Sequence, residues 1–522
     1  MLSYENFPDK GPAMLPNDSR GLGPVPDPKY MISLLVAFCY GLHVRFPTLL
    51  FDSDQAMIGI MGKDLAEGRL WPWTFYGQKY MLAVEAWTAA LSFTIFGVTL
   101  ASLKAPLLVV NAVTVVVLIR WLRRDSKLPM WAATLSVAPL LLPPIILGSY
   151  LMATIGANPW VLMYVALIWA LRDRVVLLGL MLGTAYFQRE FVLLGFLSLI
   201  CTDILESGSL LLTGRRKQRL STLLVAFITY HALVGLGQFN PEFIGMGTPR
   251  PHLAGIGQFL QNIQFMVSVL LPPLFGLGVL PASSYGLLTT LPSALGPWTV
   301  INVGLIGAVK LGTLISLWRD RREVMRSKEF SLPTYLVLAA VAQMLLYALF
   351  IEKTEVVQVR YLLMAPLALV GIFAIAFLQA KRRNSRLGSA IITLTVSSLA
   401  LSNLTMTAKL AHEQIVSPQP NPTLTLAKYL IDKGYRYGWA NYWDAYYISF
   451  ATNESVIVSA SDHSRVTRYR QLLAEHAHEA FVLATPGLCE DASAPVFERW
   501  QICPILRFKG DIHENNGVGH SR

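Results

Sequence analysis

Residues 104–127 read KAPLLVVNAVTVVVLIRWLRRDSK, an apolar run closed by Arg120, Arg123, Arg124 and Lys127. As a helix rising 1.5 Å per residue, the run 104–122 is long enough to cross a hydrocarbon layer about 30 Å thick. The basic cluster behind it marks a cytoplasmic end, because Lys and Arg accumulate on that side of a bilayer. The same punctuation recurs along the chain. Apolar runs are read as spans at 31–50, 104–122, 130–151, 159–171, 175–188, 190–206, 220–238, 299–318, 333–351, 361–380 and 388–406. Further basic clusters follow at Arg172 and Arg174; at Arg215, Arg216, Lys217 and Arg219; at Arg319, Arg321, Arg322 and Arg326; and at Lys381, Arg382, Arg383 and Arg386. Each cluster falls behind an even-numbered span, which puts the N-terminus inside and the C-terminus outside.

Composition agrees with this reading. Of 522 residues, 54% are hydrophobic and 14% charged, against about 25% charged in soluble domains. So few charges cannot cover a water-facing surface of this size, and lipid is the expected solvent for most of the chain. The net charge of +11 does not point to nucleic acid, because the basic residues are spread over loops and not gathered on one face. Residues 1–30 lack an apolar signal core and are expected as a cytoplasmic tail, with the first run kept as an anchor.

The expected architecture is an α-helical polytopic membrane protein with about eleven spans and a small C-terminal α/β domain outside the membrane. The helical unit covers 31–406, with outer loops at 51–103 and 239–298. In the first loop, 54–67 reads as a short amphipathic helix capped by Asp52 or Ser53. Met81 to Phe96 reads as a helix lying in the interface, and 254–282, broken by Pro272 and Pro273, as interfacial or re-entrant. Beyond 406 the apolar runs shorten. Thr423 is expected to cap a helix through Leu430. Strands are expected at Tyr435–Ala440, Ser455–Ala460, Phe481–Ala484 and Ile502–Phe508, with a helix near 464–479. The outer domain then spans 407–510, and 511–522 is a polar tail. Cys39 and Cys201 fall in spans as packing residues. Cys489 and Cys503 fall in the outer domain, where an oxidising compartment would allow a bridge that spacing alone does not decide.

Chemistry concentrates where spans meet the outer face. Asp52 and Asp54 stand where the first span emerges, and a carboxylate with apolar walls there could act as a general base; the competing readings are a helix cap or a solvated loop acid. Glu85 stands alone in an apolar stretch, so it needs a partner, a wet cavity or a reach to the interface. Gln188-Arg189-Glu190 interrupts an outer helix end; Arg189 either pairs with Glu190 or binds an anion. Arg360-Tyr361 opens the tenth span behind Glu352, Lys353 and Glu355, and an arginine on the outer side suits a phosphate-bearing ligand. His231 and His252 read as packing residues. The aromatic segment Tyr435 to Tyr447 suits sugar stacking or core packing, with Asp444 at its surface. There is no P-loop, HExxH or Gly-x-Ser-x-Gly pattern.

The first loop, with Phe51-Asp52-Ser53-Asp54-Gln55-Ala56, Gly59, Phe75-Tyr76-Gly77-Gln78-Lys79-Tyr80 and Val84-Glu85-Ala86, resembles the GT-C superfamily of membrane glycosyltransferases. The nearest branch is the bacterial one around protein O-mannosyltransferases and lipid A aminoarabinose transferase, family 39-like. Arg360-Tyr361 extends the resemblance, as do Ala440 to Tyr446 with Phe450 and Glu454. It implies transfer of a sugar from a polyprenyl-phosphate donor to a hydroxyl of a glycan, lipid or protein acceptor. The reaction would take place on the outer face of a bacterial inner membrane, with inversion. It implies Asp54, or Asp52 in its place, as the base. Arg360 and Arg189 would hold the donor phosphate, and Tyr76, Gln78, Glu85, Glu190 and Tyr361 would touch substrate. No cofactor or metal is required. Many relatives carry Asp-Glu where this chain has Asp54-Gln55. A multi-span transporter or lipid flippase is the rival reading.

Overall fold

Thr99 opens the helix that the 104–127 stretch encodes. Its hydroxyl accepts from the Ser102 amide, and the Ser102 hydroxyl accepts from the Thr99 amide, so two orphan donors are satisfied reciprocally. Arg123 and Arg124 sit in the last turn, where the helix dipole favours cations. The computed structural model describes residues 28–45, 51–78, 81–156, 158–207, 215–237, 252–277, 296–319, 327–351, 354–417, 421–491 and 493–509. The expected tails, Lys79 and Tyr80, most of the second outer loop, and Glu352 with Lys353 lie outside these residues.

In chain order the helices are α1 Pro28–Arg45, α2 Ser53–Ala66, α3 Val84–Phe96, α4 Leu100–Arg124, α5 Met130–Ser136, α6 Ala138–Leu141, α7 Ile145–Leu151, α8 Asn158–Leu171, α9 Val175–Gln188, α10 Val192–Ser207, α11 Arg216–Gly237, α12 Ile256–Phe265, α13 Leu271–Leu274, α14 Gly296–Arg319, α15 Ser331–Phe350, α16 Pro366–Arg382, α17 Arg386–Val416, α18 Pro422–Asp432, α19 Tyr442–Ala451 and α20 Thr467–Glu475. Most of α1 and α4 to α17 share one apolar core, with Leu118, Leu147, Tyr335 and Phe373 fully buried. Among the described residues, four helices are long and apolar enough to cross a membrane by themselves: α4, α11, α15 with its short lead-in, and α17. The pair formed by the 3-10 turn Val356–Leu362 and α16, bent by 48°, makes a fifth.

Several expected spans therefore take another form. The run 130–151 is not one helix but three, α5 to α7: Pro139 stands in the first turn of α6, and Pro143 and Pro144 remove donors between α6 and α7. The run 361–380 is broken before Pro366. Helices α8 and α9 have 14 residues each, about 21 Å, short of the hydrocarbon thickness. Helix α17 runs 31 residues, about 46 Å, and outlasts it.

A second layer stands apart from this bundle core. Here α2 and α3 share one core with α18, α19 and a five-stranded sheet, through Met57, Met61, Phe75, Phe93, Tyr446, Phe450 and Phe481. The strands are β1 Tyr437–Ala440, β2 Ile457–Ala460, β3 Phe481–Ala484, β4 Val496–Phe497 and β5 Trp500–Pro504, in the order β2-β1-β3-β5-β4. Strand β1 runs parallel to β2 and β3, with α19 and α20 as crossovers; β5 is antiparallel to β3 and β4. The 54–67 helix is not amphipathic in place. It is buried on all faces, because α3 and α19 cover opposite sides. Gly59 and Gly62 permit this. A Cβ on Gly59 would lie 2.4 Å from the Phe450 ring, and one on Gly62 would lie 3.0 Å from the Ala89 methyl. Asn421, not Thr423, caps α18, accepting from the Leu424 amide at 3.0 Å; Pro422 then takes the first helical position. The last strand ends at Pro504, earlier than 508, where the chain turns into a 3-10 helix. Asp444 is buried, not superficial. Arg499, Trp500 Nε1 and Asn441 all donate to it.

Cys489 and Cys503 form a disulfide, closing a 14-residue separation, while Cys39 and Cys201 are free. Protein purified without reductant and unfolded in detergent is expected to take up two thiol-reactive tags per chain, and four after reduction. Replacing both bridged cysteines by serine should lower the stability of the sheet layer by about 3 kcal/mol, read by thermal unfolding. Four tags without reductant would refute the bridge.

Candidate functional site

Helix α2 begins because Asp52 stands in extended backbone with its carboxylate accepting from the Gln55 amide at 3.0 Å. That cap fixes the next three side chains, two of which meet Tyr442 while the third reaches the bundle. Ser53 donates to the Tyr442 carbonyl. Asp54 accepts from the Tyr442 hydroxyl. Gln55 accepts from the Thr154 amide at 3.1 Å, beyond α7. Ser53 and Gln55 are buried and Asp54 is half-buried. The first turn of α2 is thus pinned between the bundle and the sheet layer, with the Asp54 carboxylate at the seam.

Cations gather at the same seam. Arg360, on the 3-10 turn before α16, lies within electrostatic reach of Asp54 and Tyr150. Its Nη2 donates to the Tyr361 hydroxyl at 3.2 Å, and its buried Nε has no hydrogen-bond partner. The Tyr361 ring meets Phe191 edge-on at 6.1 Å, and the Arg189 guanidinium lies 5.3 Å over that same Phe191. Arg189 also rests against Gly156, whose positive φ of 61° turns the chain away; a Cβ there would come within 3.2 Å of Nη2. Arg360 and Arg189 therefore flank one aromatic pair. From the sheet layer, Arg465 stacks 4.9 Å from the Tyr442 ring and 5.1 Å from Phe75. Its Nε and Nη1 are buried without partners.

Asp52 and Asp54 differ in environment. Burial and the neighbouring Asp54 charge push the Asp52 carboxyl up to about 6, against the opposing pull of the Gln55 bonds and Lys104. Asp52 is thus engaged as a cap, and Asp54 holds a tyrosine hydroxyl beside the arginines.

The other expected contacts divide. Tyr361 stands at the seam, and Gln78 is half-buried on a turn closed by its own amide to the Phe75 carbonyl at 2.9 Å. Tyr76 is not available to substrate: it is fully buried and its hydroxyl donates to Asp64 at 2.8 Å. Glu85 does not reach the interface. It is buried and accepts from Gln188 Nε2 at 3.0 Å, while Gln188 accepts from Tyr164. Its carboxylate is therefore spent joining α3 to α8 and α9. Glu190 is exposed, and among the described residues it forms no ion pair with Arg189. His231 is exposed against Phe227 and Tyr230. Tyr442 and Arg465 escape a sequence reading because their roles depend on contacts nearly four hundred positions away. Tyr442 is signalled by the aromatic density of 435–447 and by the Ala440 to Tyr446 segment, and Arg465 by neither.

Within the second layer, a charge network ties α2 to the sheet and its crossovers. Asp64 of α2 is fully buried and takes Arg468, Arg69 at 3.2 Å, and the Tyr76 hydroxyl. Glu454, behind α19, takes Lys63 and Arg69 at 2.8 Å, Arg468 at 2.5 Å and the Tyr469 hydroxyl at 2.7 Å. Burial acts against the ionised form of Glu454, but its bonds and charges from Arg69, Arg468 and Lys63 prevail and hold it at about 2. Among the described residues no three His, Cys, Asp or Glu side chains are grouped to hold a metal ion.

No family model and no curated protein matches the sequence. Among solved structures, ArnT from Cupriavidus metallidurans bound to undecaprenyl phosphate is similar over 93% of this chain and 100% of its own, with a TM-score of 0.54 at 13% identity. The apo state of the same protein gives 0.41 at 12% identity, over 88% and 93% of the two chains. At such identity the first likeness establishes the fold alone, which is ArnT-like.

Because the Glu454 carboxyl lies below its ordinary range in the folded chain, its stabilisation is complete above about pH 4.5 and fades as pH falls toward 2. Glu454→Gln is expected to lose that support at neutral pH, by about 3 kcal/mol for a broken buried pair. Tryptophan fluorescence of the sheet layer should show earlier unfolding with a flatter acid profile. An unchanged acid limb would show that the network does not tie α2 to the sheet.

Proposed function

We propose that this chain is a membrane glycosyltransferase moving a sugar from a polyprenyl-phosphate donor to an acceptor hydroxyl at the outer membrane face. The single observation behind the reading is a half-buried carboxylate, Asp54, held by a tyrosine hydroxyl within electrostatic reach of Arg360 at the seam of two layers. A lipid-linked donor needs such a place, since its tail stays among apolar helices while its anomeric carbon meets acceptors from water. The ArnT-like fold supports the class, and the solved neighbour binds undecaprenyl phosphate, a carrier of the same chemistry. Bacterial inner membrane, with the sheet layer on the outer side, is the corresponding location.

In the proposed step Asp54 takes the proton from the acceptor hydroxyl. The oxygen attacks the anomeric carbon, and the bond from that carbon to the phosphate oxygen breaks with its electron pair leaving on polyprenyl phosphate. One displacement inverts the configuration. Negative charge grows on the leaving phosphate, where Arg360, with Arg189 behind the Phe191–Tyr361 pair, would stabilise it. Arg465 is a third cation, with unpartnered N–H groups beside Tyr442. Asp52 serves the helix cap, which leaves Asp54 as the base. Tyr442 orients it.

Transfer of radiolabelled sugar from polyprenyl phosphate in proteoliposomes checks this reading. Asp54→Asn is expected to fold and to lose about a thousandfold in rate, within the range of a general base. Arg360→Ala should lose about a hundredfold through the leaving phosphate, and Tyr442→Phe about tenfold through one hydrogen bond. Asp52→Asn keeps a good cap and should keep most activity. Because the Asp52 carboxyl is raised, its ionisation costs stability as pH rises from about 4 through 6. The amide should therefore stabilise the protein above pH 6 and not at pH 4. Normal transfer by Asp54→Asn would refute the role. Movement of donor between leaflets without transfer would favour a flippase.

A further inference from the structure

A cavity of about 1150 Å³ lies at the far end of the bundle from Asp54, open on one side and lined by the C-terminal ends of α4 and α16, the N-terminal ends of α5 and α17, and Ile32 of α1. Six basic side chains line it: Arg120, Arg123, Arg124, Lys127, Lys381 and Arg386. No acidic residue is among the described residues that do so. Arg124 is paired with Asp125 at 3.1 Å and Lys127 with Glu329 at 3.2 Å. Arg120, Arg123 and Arg386 have no carboxylate within 4 Å among the described residues. The N-terminus of α17, capped by Ser385, adds its positive dipole end.

Apart from Asn384, Ser385 and Ser389, the rest of the wall is apolar. Ile119 and Phe377 form a buried floor, while Val116 and Trp131 beside them are exposed, and Trp131 stands edge-on to Phe377 at 5.2 Å. A tryptophan at this level and basic residues beyond it are the arrangement of a membrane–water boundary. A positive-inside loop needs its charges only in water. It does not need three unpaired guanidinia around a cavity with a greasy floor. Free phosphate would satisfy the arginines and leave Val116 and Trp131 uncovered. A lipid with an anionic headgroup satisfies both.

We infer that this cavity is a binding site for an anionic glycerophospholipid of the inner leaflet. Its phosphate sits on Arg120, Arg123 and Arg386, and an acyl chain lies along Val116 and Trp131. The site stands whether or not the transfer reaction does.

The test uses the full chain, purified and delipidated, then returned to micelles containing either dioleoylphosphatidylglycerol or dioleoylphosphatidylcholine. Native mass spectrometry should retain one phosphatidylglycerol and no phosphatidylcholine at the same loading. Millimolar inorganic phosphate should leave the thermal midpoint unchanged. Arg120→Gln/Arg123→Gln/Arg386→Gln should weaken retention about a hundredfold, following the contribution of each near-surface arginine. Arg216→Gln/Lys217→Gln, which removes exposed charge from the same end away from the cavity, should change nothing. Where the triple variant fails to insert, Ser389→Trp keeps every charge and places an indole in the cavity, and it should weaken retention. Equal retention of the two lipids, equal loss in the Arg216/Lys217 control, or full retention by Ser389→Trp would each overturn the site. Stabilisation by inorganic phosphate alone would reduce it to a free-anion site.

Discussion

The burial of one short helix sets the geometry of everything around the site. Helix α2 lies between α3 and α19 with no exposed face, and it can do so only because Gly59 and Gly62 bring neighbouring groups to the backbone itself. A side chain on either would push the Phe450 ring or the Ala89 methyl outward. Interiors are packed too densely to absorb that without shifting α19. Since Tyr442 opens α19 and holds Asp54, the packing of two glycines decides where a carboxylate stands.

Around that helix, charge is used in two ways. At the C-terminal half of α2, Asp64 and Glu454 are surrounded by Lys63, Arg69 and Arg468, so acids and bases neutralise each other and lock α2 to the sheet. At its first turn the pattern reverses. Arg360 and Arg465 keep donors without partners, next to a carboxylate that is only half covered. Buried N–H groups without acceptors cost free energy unless a ligand meets them. The difference between the two ends of one helix is the difference between a joint and a site.

Much of the helical layer could be read from the chain, because apolar runs and basic clusters are local signals. The breaks were harder. Pro143 and Pro144 are visible in the sequence, but an apolar count over 130–151 passes across them. The amphipathic reading of 54–67 failed for a physical reason: the covering surfaces come from residues 84–96 and 442–451, and no window contains both. Asp52, Asp54, Arg189 and Arg360 were recognisable as charges out of place. Tyr76 and Glu85 were equally conspicuous, yet their polar atoms are spent inside the fold. Whether a polar side chain is spent or free depends on its partners, and partners are not local in sequence.

The bonds from Ser53 and Asp54 to Tyr442 join positions separated by 389 and 388 residues. During synthesis, then, the segment that forms α2 leaves the ribosome long before the surface that covers it exists. Until the last fifth of the chain has been made, α2 presents Met57, Met61 and Gly59 to whatever is nearby. A nascent or prematurely stopped product therefore carries an open apolar saddle and an unoriented carboxylate.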